Sequence, residues 1–309
     1  MKAGPEAPPA RSEILVRSHD GFVSGRLLSP PTGRDLPLLV CIHGGGSNGR
    51  YFELKGRSMA ADAMGRGFRT LLIDRPGHGG NPELDTSSPI AASVPLIRRF
   101  INEVRADHDA DRTGVFVVGH SIGGAIALQL AAARGDWPLL GVAVSGIGDV
   151  SPSAVRAMPL PAHVARFTPP PEFAEALFHD PERTLDWRAL ASLRAATEPW
   201  RTAEIAEIVQ GWPVQWPSVA QAIDVPVHLR LAAHDRIWDT GKAVVSRMAA
   251  AIRFAPRVDA DLLLNGGHLY EAYRDGPKLI RSQVDFLLDC AQRREPARSP
   301  GARVPNPGH

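Results

Sequence analysis

A serine hydroxyl becomes a nucleophile only where a base can take its proton and donors can receive the negative charge that follows. Gly119-His120-Ser121-Ile122-Gly123 presents such a serine in a G-x-S-x-G pentapeptide. The apolar run Val115-Phe116-Val117-Val118 leads into it, and an alanine-rich helical pattern from Ala125 to Ala133 follows. In that context the pentapeptide is a strand-to-helix turn that lifts the hydroxyl to the top of a sheet. The turn is tight, so positions 119 and 123 must be small. Ser121 is therefore the candidate nucleophile. The competing interpretation is a glycine turn that only packs a helix onto a sheet.

The base must come from eleven histidines. His268 follows Leu262-Leu263-Leu264-Asn265-Gly266-Gly267, a strand ending in a glycine pair, which puts it on a loop at the same sheet edge as Ser121. His234 also follows a strand but abuts Asp235. His120 belongs to the serine turn and should point away from the hydroxyl, and His43 and His78 at strand ends should stabilise loops. The acid that orients the base should also sit at a strand end. Asp235, after the run from Val225 to Ala233, fits, with Asp239 one helical turn on as its competitor. The order Ser121, Asp235, His268 is one of three chain orders in which serine triads occur. For the oxyanion, the turn His43-Gly44-Gly45-Gly46 directly after a strand offers backbone donors. Gly45 is the first candidate there and Gly46 the next, with the N–H of Ile122 as partner donor. A phosphate-binding loop is the rival explanation of the glycines, but no G-x-x-x-x-G-K-[ST] is present.

These residues need a scaffold. Ile14 to Val16 and Phe22 to Leu28 should form a hairpin turning at Asp20-Gly21. Leu38 to Ile42, Thr70 to Ile73, Val115 to Val118, Leu139 to Val144, Val225 to Leu231 and Leu262 to Leu264 follow as strands. Helices are expected over Phe52 to Ala63, Val94 to Val104, the stretch after Ser121, and Leu279 to Leu288. Near-continuous apolar strands alternating with helices imply an α/β fold with a mostly parallel sheet of about eight strands, covered on both faces. The core should comprise residues 13–150 and 217–292. Residues 151–216 break the rhythm with many prolines and the tryptophans Trp187, Trp200, Trp212 and Trp216. They should form a helical cap over the strand ends, where ligands bind in open α/β sheets. Residues 1–12 and 293–309, rich in Pro, Gly and Arg, should be disordered.

Composition narrows the function classes. The 309 residues carry a formal net charge of +2 with scattered arginines, so neither nucleic acid nor an anionic membrane is indicated as a partner. No apolar run is long enough to span a bilayer, and Met1 to Arg11 lack an apolar signal core. The two cysteines, Cys41 and Cys290, are expected to be small buried hydrophobes, with a reducing cytoplasm as the default location. No metal-binding spacing occurs, and the chemistry above needs no cofactor.

Taken together, His43-Gly44-Gly45-Gly46, Asp74-Arg75-Pro76-Gly77-His78-Gly79, Gly119-His120-Ser121-Ile122-Gly123-Gly124, Asp235 and Gly267-His268 resemble the α/β-hydrolase fold superfamily over roughly Ile14 to Ala291. The Asp-x-Pro-Gly-His-Gly segment is similar to the loop after the fourth strand in cap-bearing members. The resemblance implies an acyl-enzyme route, with His268 as base and Gly45 and Ile122 at the oxyanion. Serine at 121 departs from the haloalkane dehalogenase and epoxide hydrolase branches, which carry aspartate there. The triple glycine is similar to the oxyanion loop of lipases and esterases, and the remainder to smaller cap-bearing esterases and lactonases. The expected activity is hydrolysis of a small to medium, mostly apolar ester or lactone. Alternatives with the same triad are acyl transfer, thioester or amide cleavage and carbon–carbon hydrolysis; a ligand binder without turnover is the third class. Met158, Phe173, Phe178, Trp200, Trp212, Trp216 and Trp238 are the expected substrate contacts. A homodimer formed through an exposed cap helix is a further expectation from the resemblance.

Overall fold

The computed structural model describes residues 12–31, 36–108, 114–133, 135, 137–161, 163–170, 177, 178, 180 and 184–294. Eight strands form one sheet: β1 (Ser12–Arg17), β2 (Ser24–Ser29), β3 (Leu38–Ile42), β4 (Thr70–Asp74), β5 (Val115–His120), β6 (Leu139–Ser145), β7 (Val227–Ala232) and β8 (Val258–Leu263). Their order is β1-β2-β4-β3-β5-β6-β7-β8. β1 and β2 pair antiparallel, and β2 is antiparallel to β4. Every other neighbouring pair is parallel.

The central strands are apolar on both faces, since both faces are covered. β3 is buried at all five positions and β5 at all six. One face packs against α1 (Met59–Gly65) and α7 (Gly276–Arg294), through residues such as Cys41, Phe68, Phe116 and Leu287. The other packs against α2 (Pro89–Asp107), α3 (Ile122–Ala132), α5 (Trp212–Ala222) and α6 (Lys242–Ala251). α3 is buried almost all round, because sheet, α2 and α5 enclose it. Its glycine- and alanine-rich sequence lets them approach closely. Cys41 and Cys290 are free and buried. No described helix is long and apolar enough to cross a membrane.

Three elements depart from the sequence expectation. The helix expected over Phe52 to Ala63 starts only at Met59. Asn48 caps a short 3-10 turn at Gly49–Phe52, and a two-stranded ribbon, Glu53–Leu54 with Arg57–Ser58, reverses at Gly56, whose φ of +77° suits glycine. The last strand starts at Val258, four residues before Leu262. It is an edge strand, and its alternation Val258-Asp259-Ala260-Asp261 hides it from a search for apolar runs. The expected boundary at residue 216 falls inside α5, which packs on α3 and is continuous with the core.

Between β6 and β7 the chain leaves the sheet. Its described part includes α4 (Trp187–Ala195), the ribbon of Arg166–Phe167 with Trp200–Arg201, and a helix over Thr202–Ala206. That helix widens into a π-helical turn at Glu207–Gly211 before α5. An isolated bridge, Ser47 with Thr197, ties this insertion to the glycine loop after β3.

Candidate active site

Ser121 sits at the junction of β5 and α3 with φ +53° and ψ −119°. A non-glycine residue held there costs about 1–3 kcal/mol, and such outliers gather at functional sites. The neighbours explain why no other turn fits. A Cβ at Gly123 would collide with the carbonyl of Ile42, so α3 can approach β3 only with glycine there. The turn is anchored by the Ser121 N–H, which donates to the Ser145 carbonyl at 2.9 Å.

His268 and Asp235 converge on this serine. The Ser121 hydroxyl lies 3.0 Å from His268 Nε2, and His268 Nδ1 lies 2.8 Å from Asp235 Oδ2. A carboxylate only accepts, so Nδ1–H donates to Asp235 and Nε2 is left to accept from the serine. Asp235 Oδ1 accepts the N–H of Ile237 at 2.8 Å, which fixes the carboxylate plane. All three residues are buried, Ser121 at 9% exposure being the most accessible. Burial pulls the His268 imidazole down. The charge and hydrogen bond of Asp235, with the charge of Glu271, outweigh it and raise its pKa above the ordinary histidine value. Asp239 donates its N–H to the Val150 carbonyl at 2.8 Å, and its charge acts on Arg247.

A second histidine–carboxylate pair adjoins the first. The His120 ring centroid is 5.1 Å from that of His268, and the ring stacks on Tyr51 at 4.8 Å. His120 Nδ1 lies 3.2 Å from the Ser145 hydroxyl, which donates to Glu271 Oε1 at 2.5 Å. The Tyr51 hydroxyl donates to Glu271 Oε2 at 2.7 Å. Burial drives the Glu271 carboxyl up, but His120 and these hydrogen bonds overcome it and hold the group down at about 2. Glu271 is thus a buried negative charge that acts on His268. Sequence reading missed it; its one signal was a position three residues after His268.

The glycine loop after β3 faces the same space. Gly44, Gly45, Gly46 and Ile122 line one cavity together with Ser121 and His268. Ile122 is the first residue of α3, where N–H groups have no intrahelical acceptor and the helix dipole favours negative charge. Gly46 adopts φ +58°, and a Cβ on it would strike the Trp200 ring.

The space here, counted with its open mouth, is about 840 Å³. Ile205, Ile208 and Val209 from the insertion supply much of its apolar wall, with Leu193, Met158 and Trp200. Among the described residues no lysine, arginine, aspartate or glutamate lines it. Among the expected substrate contacts, Met158 and Trp200 are on this wall. Trp212, Trp216 and Trp238 are core residues instead. Trp212 and Trp238 are buried with their indole N–H groups donating to the carbonyls of Gly148 and Gly146, and Trp216 packs against Trp212. Buried tryptophans satisfy their one donor this way, and composition cannot tell such a residue from a pocket wall. Phe178 packs into the cluster around α1 and α7, and Phe173 lies outside the described residues. Among the described residues no group of three or more His, Cys, Asp or Glu is placed to hold a metal ion.

Residues 39–276 match the model of the alpha/beta hydrolase family. An esterase of Mycobacterium tuberculosis is 30% identical over 178 residues, covering 55% of this chain and 49% of that protein. Protein phosphatase methylesterase 1 of Debaryomyces hansenii is 24% identical over 210 residues, covering 65% of this chain and 51% of that protein. The chain thus spans about half the length of these curated relatives. Among solved structures, a thermostable carboxyl esterase from Bacillus coagulans superposes with a TM-score of 0.69 over 91% of this chain and 99% of that one, at 16% identity.

Proposed function

The chain belongs to the alpha/beta hydrolase family, and on that premise we propose that it is a serine hydrolase cleaving uncharged, mostly apolar carboxylic esters or lactones through an acyl-enzyme. The observation that carries this is the hydrogen-bonded line Asp235–His268–Ser121 ending in an apolar cavity beside a glycine loop. The relatives named as esterases support the bond type.

In the first half-reaction Ser121 Oγ attacks the ester carbonyl while its proton moves to His268 Nε2. Asp235 holds the imidazole tautomer and stabilises the imidazolium. The carbonyl oxygen takes up the negative charge and rests on the N–H groups of Gly45 and Ile122, with Gly46 next to them. Collapse breaks the bond to the alcohol oxygen, which leaves with the proton from Nε2. Water then enters and attacks the acyl carbonyl as its proton moves to His268 Nε2; collapse breaks the bond to Ser121 Oγ, which takes that proton back as the acid leaves.

The lining sets substrate class. A charged substituent would lose its hydration against Ile205, Ile208 and Val209 without gaining a counter-ion from the described lining, a cost of several kcal/mol. Neutral acyl groups gain about 25 cal/mol for each Å² of apolar surface they bury there. The test is hydrolysis of chromogenic esters and lactones, graded in acyl length and paired with carboxylate-bearing analogues, by wild type and Ser121→Ala. Turnover of the neutral series by wild type alone is expected. Equal rates in both proteins, or preference for the charged analogues, would contradict the reading. Competing alcohols or amines in the assay separate hydrolysis from acyl transfer.

A further inference from the structure

An oxyanion loop works only if its N–H groups face the substrate, and glycines by themselves leave that direction open. In this protein the direction is set from behind. Arg75, from the loop after β4, has no solvent exposure. Its Nε donates to the His43 carbonyl at 3.1 Å and its Nη2 to the Gly44 carbonyl at 3.0 Å. The described peptides are all trans, so the carbonyl and N–H of each point in opposite directions. Drawing the Gly44 carbonyl toward Arg75 therefore turns the Gly45 N–H the other way, into the cavity that Gly45 lines with Ser121. The guanidinium fork suits this task, since its donors lie in one rigid plane.

Arg75 is in turn held by the insertion. Its Nη1 donates to Glu204 Oε1 at 2.7 Å, and Glu204 is 1% exposed. His78 Nε2 lies 3.1 Å from Glu204 Oε2, and Arg201 Nη1 3.7 Å from Oε1. The next residue along, Ile205, is on the cavity wall. The same insertion grips the far end of the glycine loop: the Glu198 N–H donates to the Gly46 carbonyl at 2.8 Å, and the Asn48 N–H to the Ala196 carbonyl at 3.2 Å.

We propose that Arg75 and Glu204 are positioning residues: the insertion, through Glu204, locks Arg75 onto the His43 and Gly44 carbonyls and thereby aims the Gly45 N–H at the oxyanion. This rests on the acyl-enzyme reading of the cavity. Neither residue touches substrate, so their loss acts on the transition state and leaves ground-state binding and the triad intact.

The experiment compares wild type with Glu204→Gln and with the double variant Arg75→Met/Glu204→Leu, which removes both buried charges together. Kinetics on a neutral ester, melting temperature, and affinity for a trifluoromethyl ketone that forms a tetrahedral adduct are measured on each. The double variant should lose about 100-fold in kcat, the scale of one oxyanion donor, with KM within about threefold. Its affinity for the ketone should fall in parallel, while the acid limb of its pH profile, which reports His268, stays in place. Glu204→Gln keeps an acceptor but drops the charge, and should lose about tenfold in kcat; this variant decides the matter if the double one does not fold. A folded double variant with wild-type kcat, or Glu204→Gln with wild-type kcat, overturns the proposal. A wild type that neither turns over esters nor binds the ketone overturns the acyl-enzyme reading, and this proposal with it.

Discussion

The floor of the cavity and its roof are built differently. On the floor, Ser121, Asp235 and His268 follow the carboxyl ends of β5, β7 and β8, and the parallel pairing that runs from β5 through β6 to β7 and β8 brings these ends to one edge. In the roof, the helical segment over residues 202–211 belongs to no sheet. Glu204 meets Arg75, and Glu207 accepts the N–H groups of Ile90 and Ala91 at the start of α2, at 2.7 and 3.0 Å. These carboxylates moor the helical segment to the core. Ile205, Ile208 and Val209 on the same segment reach the cavity. Strand pairing brings the three floor side chains together, and buried charge holds the segment that carries the apolar wall.

That difference can be broken from the floor with the largest effects. His268→Ala should lower kcat on a neutral ester by about 10⁶-fold, because the serine and its base act as one unit. Asp235→Asn should cost about 10⁴-fold, since an amide favours the wrong imidazole tautomer, whereas Asp239→Asn should leave kcat within about twofold. If Asp239→Asn were the damaging change, the assignment of the orienting acid would be wrong.

Smaller effects sharpen the comparison. Turnover needs neutral His268, whose pKa Asp235 and Glu271 raise, so the acid limb of kcat/KM should lie above the ordinary histidine value of 6.5. Glu271→Gln removes one of those negative charges and should move the limb to lower pH. The same group links to stability. Its carboxyl has an ordinary value of 4.5 and is held at about 2 in the fold. Its contribution is present above pH 4.5 and is lost as pH falls through 2. Acid denaturation of Glu271→Gln should therefore be shallower than that of wild type between those values, as followed by circular dichroism. An unchanged kinetic limb would mean that Glu271 does not act on His268.

In the roof, Ile208→Trp should narrow the wall without touching the triad. Octanoyl ester turnover, as kcat/KM, should drop about tenfold while acetyl ester turnover stays within about threefold, the scale of a few methylenes in an apolar pocket. A uniform loss over all chain lengths would place Ile208 outside the acyl path.

The same contrast explains what the sequence made legible. Each floor residue follows an apolar run that ends in glycine or in a turn, so strand, loop and reactive side chain can be read in order. Gly119 and Gly123 announce the serine turn because a Cβ at 119 would strike the Gly123 backbone and one at 123 the Ile42 carbonyl. The roof has no such grammar. Ile205, Ile208 and Val209 look like any helical core residues, and the tryptophans that draw attention, Trp212, Trp216 and Trp238, pack in the core. Arg75 lies in a recognisable glycine motif, but its partner Glu204 is 129 residues away, a distance that periodicity cannot bridge. Glu271 and Tyr51 meet from 220 residues apart. Buried pairs of this kind follow from tertiary packing. Their energetics make them visible in variants: removing one partner costs about 3–5 kcal/mol, whereas replacing both with apolar groups is often neutral.

The central claim is that Ser121 is a nucleophile activated in place by His268. Its most direct test is treatment of the full chain with a fluorophosphonate, followed by intact mass and peptide mapping. One phosphonyl group per chain on the peptide carrying Ser121, with none on Ser121→Ala and a strongly slowed reaction in His268→Ala, is the predicted result. No adduct on wild type, or an adduct at Ser145 or another hydroxyl that persists in Ser121→Ala, would contradict it.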